Sequence, residues 1–314
     1  MKALIAAVLA AMLAACAQPQ TAPRGPALHA PALTQDAFVM ADGARLFVRQ
    51  WAPESQAPKA IVLALHGFND HSRSWELPAE SWAKAGIATY AYDQRGFGRT
   101  ATPGIWPGTA ALIADLGEAL ELVAARHPRI PVFVAGESMG GAVIMAAHRA
   151  GALTRARGAI LGAPAVRGRA ALSPWSRAWL WLLAHSVPGW APTVEGTGIR
   201  PSDNIPMLRE LGRDPLVIKR TRVDALYGLV DLMDAAAEAA PGFDPPALFL
   251  IGANDNLVPG TAMRAMLDRL PPAPPAERAL ETYGGGYHML FRDLARAKVH
   301  DDVARWVLDR TDPR

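Results

Sequence analysis

Residues 131–148 read PVFVAGESMGGAVIMAAH, and this stretch decides the fold. Residues 132–135 form a short apolar run of the kind used by a strand buried on both faces. Gly136-Glu137-Ser138-Met139-Gly140 follows, a G-x-S-x-G pattern, and residues 141–149 continue as a helix-like run. Between a strand and a helix this pattern describes a strained turn that lifts a serine hydroxyl clear of the sheet. Its glycines let strand and helix approach closely. The helix N-terminus beneath the serine favours developing negative charge. Taken alone, the same five residues would equally suit a Gly/Ser-rich structural turn, so the flanking chain has to supply Ser138 with partners.

Working outward, strand and helix patterns alternate. Residues 38–40 and 45–51 form a hairpin around Asp42-Gly43, a common turn pair. KAIVLAL at 59–65 is a buried strand ending in His66-Gly67-Phe68-Asn69-Asp70-His71-Ser72. Residues 87–92 form another strand, ending in Asp93-Gln94-Arg95-Gly96-Phe97-Gly98-Arg99-Thr100. A long amphipathic helix covers 110–127, with His127 at the end where a cation suits the helix dipole. Strands follow at 158–162, 247–252 and 278–282, with helices at 259–270 and 293–310. This alternation predicts an α/β fold with a mostly parallel sheet covered on both faces. Residues 165–241 hold helical and irregular segments but no convincing strand. An inserted helical cap over the C-terminal edge of the sheet accounts for them, because open α/β sheets bind ligands there. The core is then 36–164 together with 242–314.

Composition narrows the function classes. The chain has 314 residues, a formal net charge of +3 and a single cysteine. A charge this small and scattered gives no nucleic-acid footprint. No zinc-type cysteine cluster, phosphate-cradling loop or dinucleotide pattern is present, so the reaction is expected to need no metal and no cofactor. Residues 1–15, MKALIAAVLAAMLAA, join a basic start to an uncharged apolar run shorter than the ~20 residues of a spanning helix. They read as a secretory signal. Leu13-Ala14-Ala15-Cys16 resembles the bacterial lipobox, which implies lipidation of Cys16 and a lipid-anchored protein of the bacterial cell envelope. Ala17 after that cysteine, rather than aspartate, implies the outer membrane by the same resemblance. Residues 17–35 carry four prolines and no periodicity, and read as an extended tether from the bilayer, with His29 solvated.

The motifs together resemble the α/β-hydrolase fold, in its monoacylglycerol lipase and lysophospholipase branch of serine-aminopeptidase-like hydrolases. The residues that carry the resemblance are His66-Gly67 with His71-Ser72, Asp93 to Gly98 as D-x-x-G-x-G, and Gly136 to Gly141 as GxSMGG. Gly252-Ala253-Asn254-Asp255 and Tyr287-His288 complete the set. Glu137 stands where relatives often carry histidine, and Thr100 where they often carry serine. The resemblance implies Ser138 as nucleophile, His288 as its base and Asp255 as the group that orients the imidazole, in the chain order this fold uses. Asp231 and Asp234 remain alternatives to Asp255. The backbone N–H groups of Phe68 and Met139 would form the oxyanion hole. Gly284, Gly285 and Gly286 suggest a loop free to swing His288 towards the sheet edge. His66, His71, Asp93 and Arg95 are expected to brace loops.

The substrate class rests on AALSPWSRAWLWLLAHSVPGW at 170–190. Ser173 and Pro174 mark a helix start. Trp175, Trp179 and Trp181 make that helix apolar nearly all round, too short to span a bilayer but suited to a lipid interface. The same helix could instead be buried against the core and line an acyl pocket. Both readings point to a lipid or other apolar ester, a lysophospholipid or monoacylglycerol first. An acyltransferase, a short-chain carboxylesterase and a peptidase share the acyl-enzyme chemistry, and a non-catalytic envelope binding protein would share only the fold.

Overall fold

The computed structural model describes residues 17–311, apart from 55, 194–197 and 275–276. The secretory signal and Cys16 lie outside the described residues. Strands β1 (Ala32–Leu33), β2 (Ala37–Val39), β3 (Arg45–Trp51), β4 (Ala60–Leu65), β5 (Ile87–Tyr92), β6 (Val132–Glu137), β7 (Ala156–Gly162), β8 (Ala247–Gly252) and β9 (Arg278–Tyr283) form one sheet. Its order is β1-β2-β3-β5-β4-β6-β7-β8-β9. From β5 to β9 every pairing is parallel, while β1, β2 and β3 close one edge antiparallel.

The central strands are buried along their whole length, and their side chains divide by the two-residue period of a strand. On β4, Ile61, Leu63 and Leu65 enter one apolar cluster, and Ala60, Val62 and Ala64 enter the other. On β6, Val132 and Val134 face the first, Phe133 and Ala135 the second. Helices α2 (Thr109–Arg126) and α3 (Met139–Arg149) cover the first face. On the other, α1 (Glu76–Lys84) and α8 (Arg296–Leu308) bring in Trp82, Val303 and Trp306. The short helix α7 (Gly260–Leu267) follows β8.

Three sequence expectations change here. The excursion between β7 and β8 contains α4 (Pro174–Ser186), α5 (Ile205–Arg213) and α6 (Val223–Ala239). Expected as cap up to residue 241, it returns to the core earlier. Helix α6 packs along α3 and buries Leu229, Leu232 and Ala236 in the first cluster, so it is a covering layer of the sheet. Secondly, residues 20–33 do not extend as a tether. Ala22 N–H donates to the Trp106 carbonyl at 2.9 Å, Leu28 N–H to that of Ala41 at 2.7 Å, and β1 pairs with β2. Arg24 meets Glu118 at 2.5 Å and Gln20 N–H meets Asp224 at 3.1 Å. Proline-rich chain lacks helix and ladder partners of its own, but it can still lie flat on a surface that offers carbonyls and carboxylates. Thirdly, the glycine run before His288 is pinned. Gly286 N–H donates to Tyr283 and Tyr287 N–H to Asp293, at 3.0 and 2.7 Å.

Candidate active site

The sheet order itself creates the crevice. From β4 the chain crosses to β5 on one side, and β6 then takes the opposite side, which is the switch point where open α/β sheets bind ligands. Leu65 and Gly136 are register partners at the ends of β4 and β6, so the loop after each strand emerges beside the other.

Ser138 occupies the turn between β6 and α3 at φ +53°, left-handed backbone that a non-glycine residue rarely adopts. The structure shows what holds it there. Ser138 N–H donates to Gly162 at 2.8 Å, and its carbonyl accepts from Ala142 and Ala165 at 3.1 and 2.9 Å. A Cβ at Gly136 would collide with the Gly140 backbone, and one at Gly140 with the Leu65 carbonyl. The two glycines of the motif are there because strand, turn and helix touch. Ser138 is half-buried, and its hydroxyl has no hydrogen-bond partner among the described residues.

Asp255 follows β8 and His288 follows β9. Ala253 N–H donates to Tyr283 and Asn254 N–H to Gly286, both at 2.9 Å, which sews the two loops together. His288 Nδ1 donates to Asp255 Oδ2 at 2.8 Å, with both side chains buried. The other carboxylate oxygen accepts from the N–H groups of Leu257 and Val258, at 2.8 and 2.9 Å. A carboxylate satisfied in this way fixes the Nδ1–H tautomer and leaves Nε2 as the basic nitrogen. Asp231 and Asp234, the alternatives, sit on α6 and bind Arg169 at 2.5 and 2.6 Å. They are not the imidazole's partners.

The loop after β4 completes the site. Gly67 packs against Ser138. Phe68 is wedged between Phe97 and Trp106, with ring centroids 5.6 and 6.3 Å away. Met139 is the first residue of α3, so its N–H has no partner within the helix. Neither that N–H nor the one of Phe68 donates to an acceptor among the described residues. Bracing is provided by the residues expected to brace. His66 is buried; its Nδ1 donates to Gly67 at 2.8 Å and its Nε2 accepts from Gln94 N–H at 3.0 Å. Burial holds its pKa below the usual histidine range, so it stays neutral. Asp93 accepts from the N–H groups of Ser72 and Arg99, both at 2.8 Å. His71 bonds Asp214 at 3.0 Å, and Arg95 binds Asp42 and Asp115 at 2.9 and 2.8 Å.

Sequence reading missed Arg292. This buried guanidinium binds Asp70 at 2.7 Å and Glu137 at 3.0 Å, while the backbone N–H of the same residue donates to the Met289 carbonyl at 2.8 Å. One residue thus ties together three loops: its cation joins the loop of Phe68 to the turn of Ser138, and its backbone belongs to the loop of His288. Burial pushes the Glu137 carboxyl up, with Arg292 and then His288 pulling it back down. Only the unusual Glu137 hinted that a buried cation was required.

Among the described residues, the tryptophans of α4 make no aromatic ring contact with these side chains; Trp181 stacks on His185 of its own helix, with ring centroids 4.6 Å apart. Trp175, Trp179 and Trp181 are 77, 56 and 50% exposed, and Ala184 is the one buried residue of the helix. The version of the sequence reading that buries α4 against the core therefore fails: its aromatic face is turned outward.

Residues 56–295 match the family described as serine aminopeptidase, S33. The chain belongs to that family. Among relatives, the monoacylglycerol lipase of Mycolicibacterium smegmatis is 26% identical over 293 residues, covering 88% of this chain and 97% of its own. Human monoglyceride lipase is 26% identical over 287 residues, covering 87 and 90%. Of solved structures, a soluble variant of the Saccharomyces cerevisiae monoglyceride lipase superposes with a TM-score of 0.72 at 20% identity, covering 92% of this chain and 100% of that one. The Paleococcus ferrophilus monoacylglycerol lipase gives 0.66 at 22% identity, with 84 and 99% covered. These two likenesses establish the α/β-hydrolase fold.

Proposed function

We propose that this serine hydrolase of carboxylic esters cleaves single-chain lipid esters, monoacylglycerols and lysophospholipids, through an acyl-enzyme on Ser138. The observation that carries the reading is the Asp255–His288 pair at 2.8 Å on the loops after β8 and β9, together with a serine held at φ +53° on the turn after β6 of the same parallel sheet. His288 Nε2 takes the proton of Ser138 as Oγ attacks the ester carbonyl. The hydroxyl–imidazole contact is one that enzymes of this kind commonly tighten when substrate binds. The N–H groups of Phe68 and Met139 stabilise the tetrahedral oxyanion, each worth about 2.7–4 kcal/mol in such sites. His288 then protonates the leaving alcohol and activates the water that releases the fatty acid.

Support for a lipid substrate comes from the monoacylglycerol lipase relatives and from the outward tryptophans of α4. We place residues 165–222 as the cap, Cys16 as the lipidated residue and the protein on the outer membrane of a bacterial envelope. Gln20 is held by Asp224 and Arg222, and Val223 N–H donates to the carbonyl of Trp190, itself 50% exposed. Four residue steps from Cys16 to Gln20 reach at most about 14 Å. A lipid on Cys16 would therefore hold the tryptophan side of the cap close to the bilayer.

The test is a substrate panel on wild type and Ser138→Ala: p-nitrophenyl esters of rising chain length, monoacylglycerol, lysophospholipid and an aminoacyl amide, with and without added glycerol. The proposal requires turnover that rises with chain length, favours the lipids and disappears in the variant. Preference for the amide would make the protein a peptidase, and acyl transfer to glycerol in place of hydrolysis would make it an acyltransferase.

A further inference from the structure

A cleft of about 560 Å³ opens between α5, the start of α1 and the outer end of β3. Ser138, Asp255 and His288 do not line it. Its charges divide into two groups. Arg73 is paired with Glu76, His71 with Asp214, and Arg292 with Asp70. Arg49, Arg99 and Arg213 line the same cleft with no carboxylate partner among the described residues, against one unpaired acid, Glu210. Arg99 and Arg49 rest over the Phe47 ring at 4.1 and 5.5 Å, cation–π contacts that take up no hydrogen-bond acceptor.

Buried atoms add a second observation. Among lining residues Asp70 Oδ2 is buried without a hydrogen bond but lies 2.7 Å from the Arg292 guanidinium, and Arg49 Nε, Ser74 Oγ and Arg292 Nε are buried with no hydrogen-bond partner. The last three can donate, and native proteins rarely bury donors without an acceptor. The lining also holds apolar side chains, Leu77 on α1 and Met207 and Leu211 on α5, the helix that ends in Arg213. Helix α5 buries none of its residues, so it lies over the cleft without filling it.

We propose that this cleft binds a single-chain anionic amphiphile, with its carboxylate or phosphate on Arg49, Arg99 and Arg213 and its chain along α5. Guanidinium groups grip planar or tetrahedral oxyanions through paired N–H donors, and the unpartnered buried donors match the same acceptor. The ligand has two possible sources, the free fatty acid released by ester hydrolysis or the phosphate of a lysophospholipid. Binding here does not depend on the chemistry at Ser138.

The experiment uses full-chain Ser138→Ala protein, which keeps both surfaces and turns nothing over. Dodecanoate, dodecyl phosphate, neutral 1-dodecanoylglycerol and inorganic phosphate are titrated separately by calorimetry below their micellar concentrations. Both anionic amphiphiles should bind, and Arg99→Gln with Arg213→Gln should weaken them by about tenfold or more while leaving the neutral glyceride unchanged. Tighter dodecyl phosphate would identify a phospholipid head group, and equal or tighter dodecanoate the released fatty acid. Melting temperatures of the variant show that the fold is intact, since Arg99 and Arg213 are exposed. Anions binding no better than the neutral glyceride, or binding unchanged in the variant, would mean that water satisfies these donors, and would overturn the proposal.

Discussion

Replacing Arg292 by methionine tests how the three active-site loops are held together. The guanidinium is buried and contacts Asp70 at 2.7 Å and Glu137 at 3.0 Å. Methionine fills similar volume but leaves two buried carboxylates without their cation. Removing one partner of a buried ion pair typically destabilises by about 3–5 kcal/mol, and that is the loss predicted at pH 8. The loss should shrink in acid. Burial already raises the Glu137 pKa, and without Arg292 it rises further. A group whose folded-state pKa is raised binds more protons folded than unfolded, so stability falls as pH climbs from the unfolded value of about 4.3 through the folded one. The difference between wild type and variant should therefore be smallest near pH 4.5 and greatest at pH 8. Urea unfolding at both values measures it, and adding Glu137→Gln should recover at least about 1 kcal/mol at pH 8 by removing one stranded charge. A pH-independent loss below about 1 kcal/mol would refute the reasoning, because the cluster would then be hydrated and not buried.

Three further outcomes follow from the geometry. Asp255→Asn keeps the shape but can no longer enforce the Nδ1–H tautomer of His288, so kcat should fall by about 10⁴-fold with little change in melting temperature. Gly140→Ala drives a Cβ into the Leu65 carbonyl where β4 meets α3, and should destabilise by about 3 kcal/mol or more in urea unfolding. Trp179→Ala with Trp181→Ala should lower turnover of micellar monoacylglycerol far more than that of a short soluble ester, because both rings face outward. Equal losses on the two substrates would sink the interfacial role.

How far the fold can be read from the chain depends on whether the information is local. The strand ends carrying Ser138 and Asp255 are readable because each follows a short apolar run, and that of His288 because the strand–helix alternation continues through RALETY; a parallel sheet gathers such ends on one edge. Arg292 was not readable, since its partners are 222 and 155 positions away and no periodicity links them. Residues 20–33 were misread for a related reason. Proline-rich composition reports that a segment cannot build its own ladder, but not that Trp106 and Ala41 offer it carbonyls. Helix α6 looked like cap because an amphipathic helix is the same in sequence whether it covers a sheet or a cleft; its packing on α3 decides.

The most direct test of the account is covalent. An alkyl fluorophosphonate applied to the folded wild-type protein should modify Ser138 alone, located by peptide mass, and should abolish monoacylglycerol hydrolysis in proportion to labelling. Ser138→Ala should remain unlabelled and inactive. Labelling of a different residue, or full hydrolysis by Ser138→Ala, would contradict the claim that this strained serine is the nucleophile.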